Sequence, residues 1–364
     1  MSFLRSRLSE RDIQQIFDRE IAPRLMAGVG RPEQPWLLFV FGQPGSGKTT
    51  AQRQVLERIG PVGAVIADTD SLKSYHPGYA DLLVKDDQTA ALVVARASNA
   101  WTRMAIDLAE RHRVHLIREG SYAPRNEATR FAAAGYTVEA DVMAVPAAIS
   151  RLSVLLRYQL MRDELGFGRL VRTGTHDRVF ESLPRILADN DHRKFIPQVR
   201  LHRWGGETIY ADRLDANGEW QDPTAARAVL ETERNRELTA ADATWFTEQF
   251  NALSRSLPPN LRAQLPQIAA LARPLGIDLA NTPTPDQRTR STPHAVKHTK
   301  GSTPAAPKPA STARFISAGL APAHLATTTP SPGTEQAGEK PLRSSPATIP
   351  TQTRTGATID PPTR

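Results

Sequence analysis

The chain has 364 residues, 40% of them hydrophobic, which suffices for a sizeable core in one large domain or two ordinary ones. It contains no cysteine, and this excludes a disulfide framework, a thiolate metal site and a cysteine nucleophile. No apolar run reaches the length of about 18 residues that spans a membrane, and the N-terminus lacks a secretory pattern. We therefore expect no membrane association and a cytoplasmic location.

The net charge of +8 lies mainly near the end of the chain. Residues 281–364 contain 10 Lys and Arg against 4 Asp and Glu, whereas residues 1–280 contain 36 against 34. This last segment is rich in Thr, Pro, Ala and Ser, which bury too little apolar surface to offset the entropy of ordering. We predict a disordered basic tail over 281–364, in which the apolar stretch Phe315–Leu320 is either a docking segment or incidental. We expect no nucleic acid partner, except for weak binding through this tail.

Helix and strand patterns alternate before this tail. Ser9–Asp12 resembles a capping box that opens a first helix. The apolar run 36–41 predicts a strand buried on both faces, and a Gly-rich turn and a helix over 48–59 follow it. Further strands are predicted at 64–67, 114–117, 137–145, 198–204 and 207–210, and further helices at 88–111, 126–134, 147–163 and 176–189. Gly205-Gly206 could join the last two strands as a hairpin.

This alternation predicts an α/β fold with a mostly parallel sheet and helices on both faces. Ligands of such sheets bind at the carboxyl ends of the strands, where the loops after Phe41, Ala67 and Ile117 lie. Three more helical patterns follow at about 224–238, 240–254 and 260–272, and no chemistry is visible in them. We predict a domain over 1–220, a small helical appendage over 221–280 and the tail over 281–364.

The loop after the first strand matches the pattern G-x-x-x-x-G-K-[ST] of phosphate-binding loops. It comprises Gly42, Gln43, Pro44, Gly45, Ser46, Gly47, Lys48, Thr49 and Thr50. A buried strand precedes it and a helix follows, as the pattern requires, so we predict a P-loop kinase-like fold. The glycines let backbone N–H groups converge on phosphate oxygens at a helix N-terminus. We expect Lys48 to reach the β- and γ-phosphates of ATP, and the Thr49 hydroxyl to bind Mg²⁺.

Polar residues also follow the second and third strands. Asp68 and Asp70 could accept a proton from an acceptor hydroxyl or hold a metal through water, and their spacing does not choose between them. Alternatively, Asp70 caps a helix. Glu119 and Ser121 could bind a polar substrate, or they could belong to a surface turn.

Four arginines lie on or just beyond the helix that follows Pro146: Arg157, Arg162, Arg169 and Arg172. Planar guanidinium groups hold phosphate oxygens in a bidentate manner, so the group predicts a phosphate-clamping lid. A solvated helix face is the alternative for each arginine taken singly. The nine histidines show no metal-ligand spacing, so Mg²⁺ that accompanies the nucleotide is the only metal that we expect.

Taken in order, these motifs resemble the zeta toxin family, P-loop kinases of toxin–antitoxin systems. The resemblance covers roughly residues 36–210 and includes the P-loop, Asp68–Pro77, Ser98-Asn99, Glu119–Ser121, Val142–Pro146, Arg157-Tyr158 and His176-Asp177. It implies transfer of the ATP γ-phosphate to the sugar 3′-hydroxyl of UDP-N-acetylglucosamine, and it suggests an antitoxin protein as a partner.

The resemblance also implies roles for individual residues. Lys48 looks like the phosphate-binding lysine, and Asp70 looks like the general base. Arg157 and Arg169 look like the two phosphate-contacting arginines. Glu119 and Ser121 look like substrate-contacting residues, with serine in place of the family's usual threonine.

The sequence departs from the family on the acceptor side. Arg103 stands where the family often has a substrate-binding Glu. Arg125 is the nearest match to a substrate-side arginine, two residues later than the family spacing, and the segment 119–136 looks shorter than in some members. Two alternatives therefore stay open: a kinase of another small hydroxyl compound, and a non-catalytic protein in which nucleotide gates weak binding of the tail to an acidic partner.

Overall fold

The computed structural model describes residues 7–121 and 123–279, so the predicted tail lies outside the described residues. Six strands form one sheet: β1 (Trp36–Phe41), β2 (Val65–Asp68), β3 (Leu116–Gly120), β4 (Thr137–Met143), β5 (Gln198–His202) and β6 (Thr208–Arg213). Their order is β2-β3-β1-β4-β5-β6. β1 to β5 are parallel to their neighbours, whereas β6 pairs with β5 in the antiparallel direction. The predicted α/β fold and the terminal hairpin are confirmed.

Helices connect and cover these strands. Their bounds are α1 (Glu10–Ile16), α2 (Ala22–Met26), α3 (Lys48–Ile59), α4 (Thr69–Leu72), α5 (Tyr79–Lys85), α6 (Ala90–Val93), α7 (Ala95–His112), α8 (Arg125–Ala133), α9 (Ala147–Leu165), α10 (Thr173–Arg193), α11 (Ala226–Asn235), α12 (Ala240–Ser256), α13 (Pro259–Arg262) and α14 (Leu265–Ala272). The capping box predicted for the first helix is present, because Ser9 and Asp12 bond each other's backbone N–H groups. None of the described helices is long and apolar enough to cross a bilayer.

The central strand β1 is buried on both faces, as its continuous apolar run predicts. Leu37, Phe39 and Phe41 belong to one hydrophobic cluster, and Leu38 and Val40 belong to another. Successive side chains of a strand point to opposite faces, so this single strand contributes to the core on each side of the sheet. This is the architecture that a parallel sheet with helices on both faces requires.

The helices after residue 220 pack directly on the sheet domain. α11 contacts α10, whereas α12 and α14 both contact α9. Phe246 and Leu253 of α12 and Leu265 of α14 are buried in the same cluster as Leu38 and Val40. The first two predicted helical patterns are present as α11 and α12, whereas the third is divided into α13 and α14. The apolar faces of α12 to α14 complete the core on one side of the sheet.

The third strand ends later than its apolar pattern indicates. The sequence predicts a strand over 114–117, but β3 continues to Gly120 because its backbone pairs with both β1 and β2. Glu119 lies opposite Val40 of β1 and Asp68 of β2 in this register. Backbone hydrogen bonds to two neighbours extend the strand through polar residues. They place Glu119 at the carboxyl edge of the sheet, beside the end of β2.

Candidate active site

The loop between β1 and α3 requires glycine at three positions. Gly45 and Gly47 have φ angles of +78° and +85°, which favour glycine. A Cβ atom at Gly45 would lie 2.1 Å from the Ser150 carbonyl oxygen, and one at Gly42 would lie 2.7 Å from the Met143 side chain. The loop is therefore curled tightly between the start of α3 and the residues around α9, with no room for larger side chains.

This loop has the properties of an anion-binding cradle. Gly47 precedes α3 and provides no side-chain cap for its first N–H groups. The Ser46 hydroxyl is buried, and no described residue bonds to it. An uncapped helix N-terminus attracts negative charge, so the cradle fits the phosphates of a nucleotide.

Thr49 lies in the first turn of α3 and is half-buried. Mg²⁺ at kinase sites takes one or two protein oxygens and completes its octahedron with phosphate oxygens and water. Thr49 is the residue that would contribute a hydroxyl there. The described residues contain no group of three or more His, Asp or Glu side chains that could hold a metal ion by themselves.

Lys48 joins the loop to the end of β3. Its Nζ atom donates to the Gly42 carbonyl oxygen at 3.2 Å and lies 4.0 Å from Oε1 of Glu119. The side chain thus extends across the loop rather than into bulk solvent. Two candidate loops, those after β1 and β3, are brought together by this contact.

The structure separates the two aspartates that follow β2. Asp68 caps α4, because its two carboxylate oxygens accept hydrogen bonds from the N–H groups of Asp70 and Ser71 at 2.9 and 3.0 Å. Asp70 is therefore not the helix cap that its sequence position allows. Its carboxylate is free to face the other charged residues of the site.

Asp70 is held between two cations. Its Oδ1 atom accepts from Nζ of Lys73 at 2.6 Å, and its Oδ2 atom accepts from Nη2 of Arg169 at 2.7 Å. Burial raises the pKa of Asp70, but Arg169 and Lys73 outweigh it and hold the pKa well below its usual range. The carboxylate is ionised at neutral pH, and its side chain remains 43% exposed, which leaves it open to a ligand.

Glu119 differs from Asp70 in protonation. Burial raises the pKa of Glu119 to about 7, and the negative charges of Asp68 and Asp70 add to this effect against Lys48 and Arg157. Its side chain is 17% exposed. The site therefore contains one carboxylate that is ionised at neutral pH and one that gains and loses its proton near neutral pH.

Arg157 on α9 completes the charged cluster. Burial and the neighbouring Arg169 lower the pKa of Arg157 to about 10, while Asp70, Glu119 and Asp68 oppose this shift. The guanidinium is therefore charged at neutral pH. Its Nε atom is buried, and no described residue bonds to it. Such a guanidinium can donate hydrogen bonds to phosphate oxygens.

The four predicted lid arginines separate into two pairs. Arg157 and Arg169 interact with Asp70, as described above. Arg162 is exposed and donates to the Tyr158 hydroxyl at 3.1 Å, whereas Arg172 is exposed beside the first turn of α10. We therefore place two of these side chains in the cluster and assign the other two to the helix surface.

Three residues of the predicted acceptor side lie on the surface. Ser121 follows β3 and is exposed, and Arg125 is the exposed first residue of α8. Arg103 is exposed on α7. Among the described residues, no side-chain hydrogen bond or ion pair joins any of the three to Asp70 or Glu119. Their roles in substrate binding stay predictions.

Comparison with known proteins agrees with this architecture. The model of the family described as zeta toxin matches residues 25–215, which is more than half of the chain. The chain belongs to the zeta toxin family. Members of this family are kinase-like phosphotransferases that bind nucleotides.

Named relatives support the same assignment. Toxin zeta of Streptococcus pyogenes is 26% identical over 257 residues, which are 69% of this chain and 86% of the relative. Toxin PezT of Streptococcus pneumoniae is 27% identical over 139 residues, 37% of this chain and 54% of the relative. A solved structure from the PezAT chromosomal toxin–antitoxin system of Streptococcus pneumoniae shares the fold, with a TM-score of 0.58 and 19% identity. That match covers 68% of this chain and 98% of the solved one.

Sequence reasoning about this zeta-family chain missed two side chains that shape the site. Lys73 lies three residues after Asp70 on one short helical turn, and this spacing could have revealed the ion pair. Asp87, in the turn between α5 and α6, accepts from the Gly168 N–H at 2.9 Å and from the Tyr158 hydroxyl at 3.1 Å. Nothing in the sequence signals this second link, because its partners are 81 and 71 positions away.

Proposed function

We propose that the chain transfers the γ-phosphate of ATP, with Mg²⁺, to the sugar 3′-hydroxyl of UDP-N-acetylglucosamine. The observation that carries the proposal is the meeting of Lys48, Asp70, Glu119, Arg157 and Arg169 at the mouth of the P-loop. Cations and an ionised carboxylate at one point are what phosphoryl transfer needs, because the reaction depends on positioning and on stabilising charge.

Each of these residues has a role in the proposed reaction. Lys48 binds the β- and γ-phosphates, and Arg157 and Arg169 offset the charge on the transferred group. Asp70 orients the acceptor hydroxyl and accepts its proton. Thr49 would contribute a hydroxyl to Mg²⁺, which when bound would offset negative charge on the phosphates. Glu119, at the end of β3, hydrogen-bonds a polar group of the acceptor, with Ser121 and Arg125 at the outer edge.

A different small hydroxyl compound as acceptor is the second candidate. Arg103 is exposed on α7 at the position where the resemblance implies an acidic residue, and a cation there favours a more anionic ligand. The residues that are proposed to bind the ATP phosphates, Lys48, Arg157 and Arg169, are the same for either acceptor. The phosphotransferase reaction is therefore common to both candidates, and only the acceptor differs.

Partners of this chain follow from the same relatives. The matched solved structure comes from a toxin–antitoxin system, and on this basis we propose an antitoxin protein as a partner. A cytoplasmic location is the setting in which ATP and UDP-sugars occur together. Both remain proposals, as does weak binding of acidic partners by the tail.

The proposed reaction is tested by following ATP-dependent phosphorylation across a panel of UDP-sugars. We expect a phosphorylated UDP-N-acetylglucosamine product from the unaltered chain. Asp70→Asn removes the proton acceptor with little change in shape, so we expect the rate to fall about 10²- to 10⁴-fold. Lys48→Ala is expected to abolish nucleotide binding as well as turnover.

Asp81→Asn is the matched control, because Asp81 is an exposed carboxylate on α5. Its rate should equal that of the unaltered chain. Product from another hydroxyl compound in a cell extract, with none from any UDP-sugar, would support the second candidate. No phosphorylated product from either source would overturn both.

A further inference from the structure

A buried guanidinium on α11 contacts the second residue of the P-loop. Arg234 is 6% exposed, and its Nη2 atom donates to Oε1 of Gln43 at 3.1 Å. Its Nη1 atom donates to the Phe180 carbonyl oxygen at 2.9 Å, and the guanidinium lies 3.9 Å from the centre of the Phe180 ring. Arg234 therefore links a helix beyond residue 220 to α10 and to the second residue of the P-loop.

Gln43 connects Arg234 to residues that follow β4 and begin α9. The residue is fully buried, and its Nε2 atom donates to the Val145 carbonyl oxygen at 2.7 Å and to the Ser150 hydroxyl at 3.2 Å. Val145 follows β4, and Ser150 lies in the first turns of α9. The side chain of Gln43 thus anchors the loop to two elements, and Arg234 fixes which of its ends faces which partner.

The hydrogen bonds continue beyond Ser150. Its hydroxyl lies 2.8 Å from Nε2 of His176, and Nδ1 of the same ring lies 2.9 Å from Oδ1 of Asp177. Burial lowers the pKa of His176 more than Asp177 raises it, so the ring is neutral at neutral pH. Because the Asp177 carboxylate can only accept, Nδ1 of the neutral ring carries the proton, and Nε2 is the unprotonated nitrogen beside the Ser150 hydroxyl. The Arg151 guanidinium, with Nε 3.1 Å from Oδ1 of Asp177, closes the network.

In the part of the chain that the structure describes, no carboxylate pairs with the guanidinium of Arg234. The ion pairs among the described residues include none for Arg234, and the adjacent Glu233 pairs with Arg203 and Arg236 instead. Burial lowers the pKa of Arg234 to about 10 against a smaller opposing effect of Glu231, so the group stays charged at neutral pH. A buried charge without a paired counterion is costly, and carbonyl, amide and ring partners reduce that cost only in part. Nucleotide phosphates in the adjacent cradle would supply the opposite charge.

We propose that Arg234 is a positioning residue of the nucleotide site. Through Gln43 it holds the P-loop in its curled conformation before nucleotide binds, and its unpaired charge favours phosphate in the cradle. The proposal rests on the proposed function only in that the P-loop must bind a nucleotide, and it does not depend on the acceptor.

The test compares ATP affinity and hydrogen exchange of the P-loop amides in the full chain. In Arg234→Met we expect ATP to bind about tenfold more weakly or worse, because a hydrogen bond to a charged group is lost from a buried network. Exchange at residues 42–47 should become faster without nucleotide. Arg234→Lys should restore affinity only in part, since one ammonium cannot reproduce the fork that reaches Gln43 and Phe180 together.

A double-mutant cycle tests whether Arg234 acts on the P-loop through Gln43. Gln43→Met alone should weaken ATP binding to a similar extent, and Arg234→Met with Gln43→Met should be no weaker than the worse single variant, because both break the same link. Arg227→Met, an exposed arginine on the same helix, is the control and should bind ATP normally. Gln43→Met leaves α11 unchanged, so it tests the link even if Arg234→Met does not fold.

Four results separate the outcomes. If either Arg234→Met or Gln43→Met folds and binds ATP as the unaltered chain does, with unchanged exchange at 42–47, the positioning role is overturned. Fully additive losses in the cycle would also overturn it. If Lys48→Ala binds ATP as tightly as the unaltered chain, the proposed function itself fails. If Lys48→Ala loses ATP binding while Arg234→Met binds ATP normally, only the positioning role of Arg234 is overturned.

Discussion

The Asp70 carboxylate shows how neighbouring charges set the chemistry of a single residue. Lys73 and Arg169 hold its pKa low in the ligand-free chain, so it is ionised but binds protons weakly. A base works best when its pKa lies near the operating pH. Phosphate oxygens that attract Arg169 would weaken its pair with Asp70 and raise that pKa. We therefore expect Asp70 to become a stronger base when the nucleotide is bound.

Glu119 provides a prediction on stability and pH. Burial raises the pKa of its folded state to about 7, above the unfolded value of 4.5, so the folded state holds the proton more tightly. The contribution of Glu119 to the free energy of unfolding therefore falls as pH rises from 4.5 to about 7 and is constant above that range. Glu119→Gln should raise the free energy of unfolding by on the order of 2 kcal/mol at about pH 8 and leave it unchanged at about pH 4.

Urea unfolding at the two pH values measures this difference. The exposed Glu57 of α3 supplies the control, and Glu57→Gln should change stability little at either pH. A gain for Glu119→Gln that is equal at both pH values would contradict the assignment, because the protonated acid at the lower pH carries no buried charge.

At the scale of elements, the connection between α9 and α10 carries Arg169 to the site. This segment, residues 166–172, forms no helix or strand, so its position depends on the side chains that hold it. Asp87 bonds the Gly168 N–H group and the Tyr158 hydroxyl, and Gly168 directly precedes Arg169 in the chain. A Cβ atom at Gly168 would lie 2.4 Å from the Tyr158 ring, so the backbone there approaches α9 closely.

Removal of Asp87 is expected to loosen this connection. In Asp87→Ala the Gly168 N–H group and the Tyr158 hydroxyl lose their acceptor, so Arg169 is held less firmly near Asp70. We expect turnover to fall about tenfold or more, since small displacements of positioning groups cost rate steeply. Hydrogen exchange over 166–172 should become faster, whereas ATP affinity should change less than turnover.

Asp163→Ala, at an exposed carboxylate near the end of α9, serves as the comparison and should behave as the unaltered chain. If Asp87→Ala leaves both the exchange over 166–172 and the rate unchanged, the connection is held by other contacts. The positioning role of Asp87 would then be wrong.

At the scale of the molecule, the helices after residue 220 are part of the sheet domain's core. Phe246, Leu253, Leu265 and Ile268 are buried in the cluster that covers one face of β1. Burying each such side chain contributes about 1.5–3 kcal/mol, so the four together match the whole stability of an ordinary domain, about 5–15 kcal/mol. The proposed division at residue 220 marks the change from alternating strands and helices to helices alone, and residues 221–279 stabilise what precedes them.

Truncation tests this dependence. A chain ended at residue 220 exposes the apolar side of α9 and loses Arg234, so we expect it to aggregate or to unfold without a cooperative transition. A chain ended at residue 279 should melt cooperatively and bind ATP. Calorimetry of both chains measures the difference, and a cooperative, ATP-binding chain 1–220 would show that the later helices are dispensable.

Much of the fold could be predicted because its signals are local. The apolar run of β1, the glycines of the P-loop and the helical periods are properties of neighbouring residues, and α3 begins and ends as its pattern predicts. The end of β3 was predicted too early, because pairing with β1 and β2 extends it through Arg118 and Glu119. Strand ends depend on such neighbours, which a sequence pattern does not show.

The sequence by itself determined the P-loop, the α/β alternation and the candidates Lys48, Asp70, Glu119, Arg157 and Arg169. Only the tertiary structure decided that Asp68 caps α4 while Asp70 pairs with cations, and that Arg162 and Arg172 are exposed. It also placed Arg234 against Gln43, 191 positions apart in the chain. Local steric and hydrogen-bonding preferences depend on adjacent residues and can be predicted from the sequence. Ion pairs and buried hydrogen-bond networks depend on which distant elements pack together.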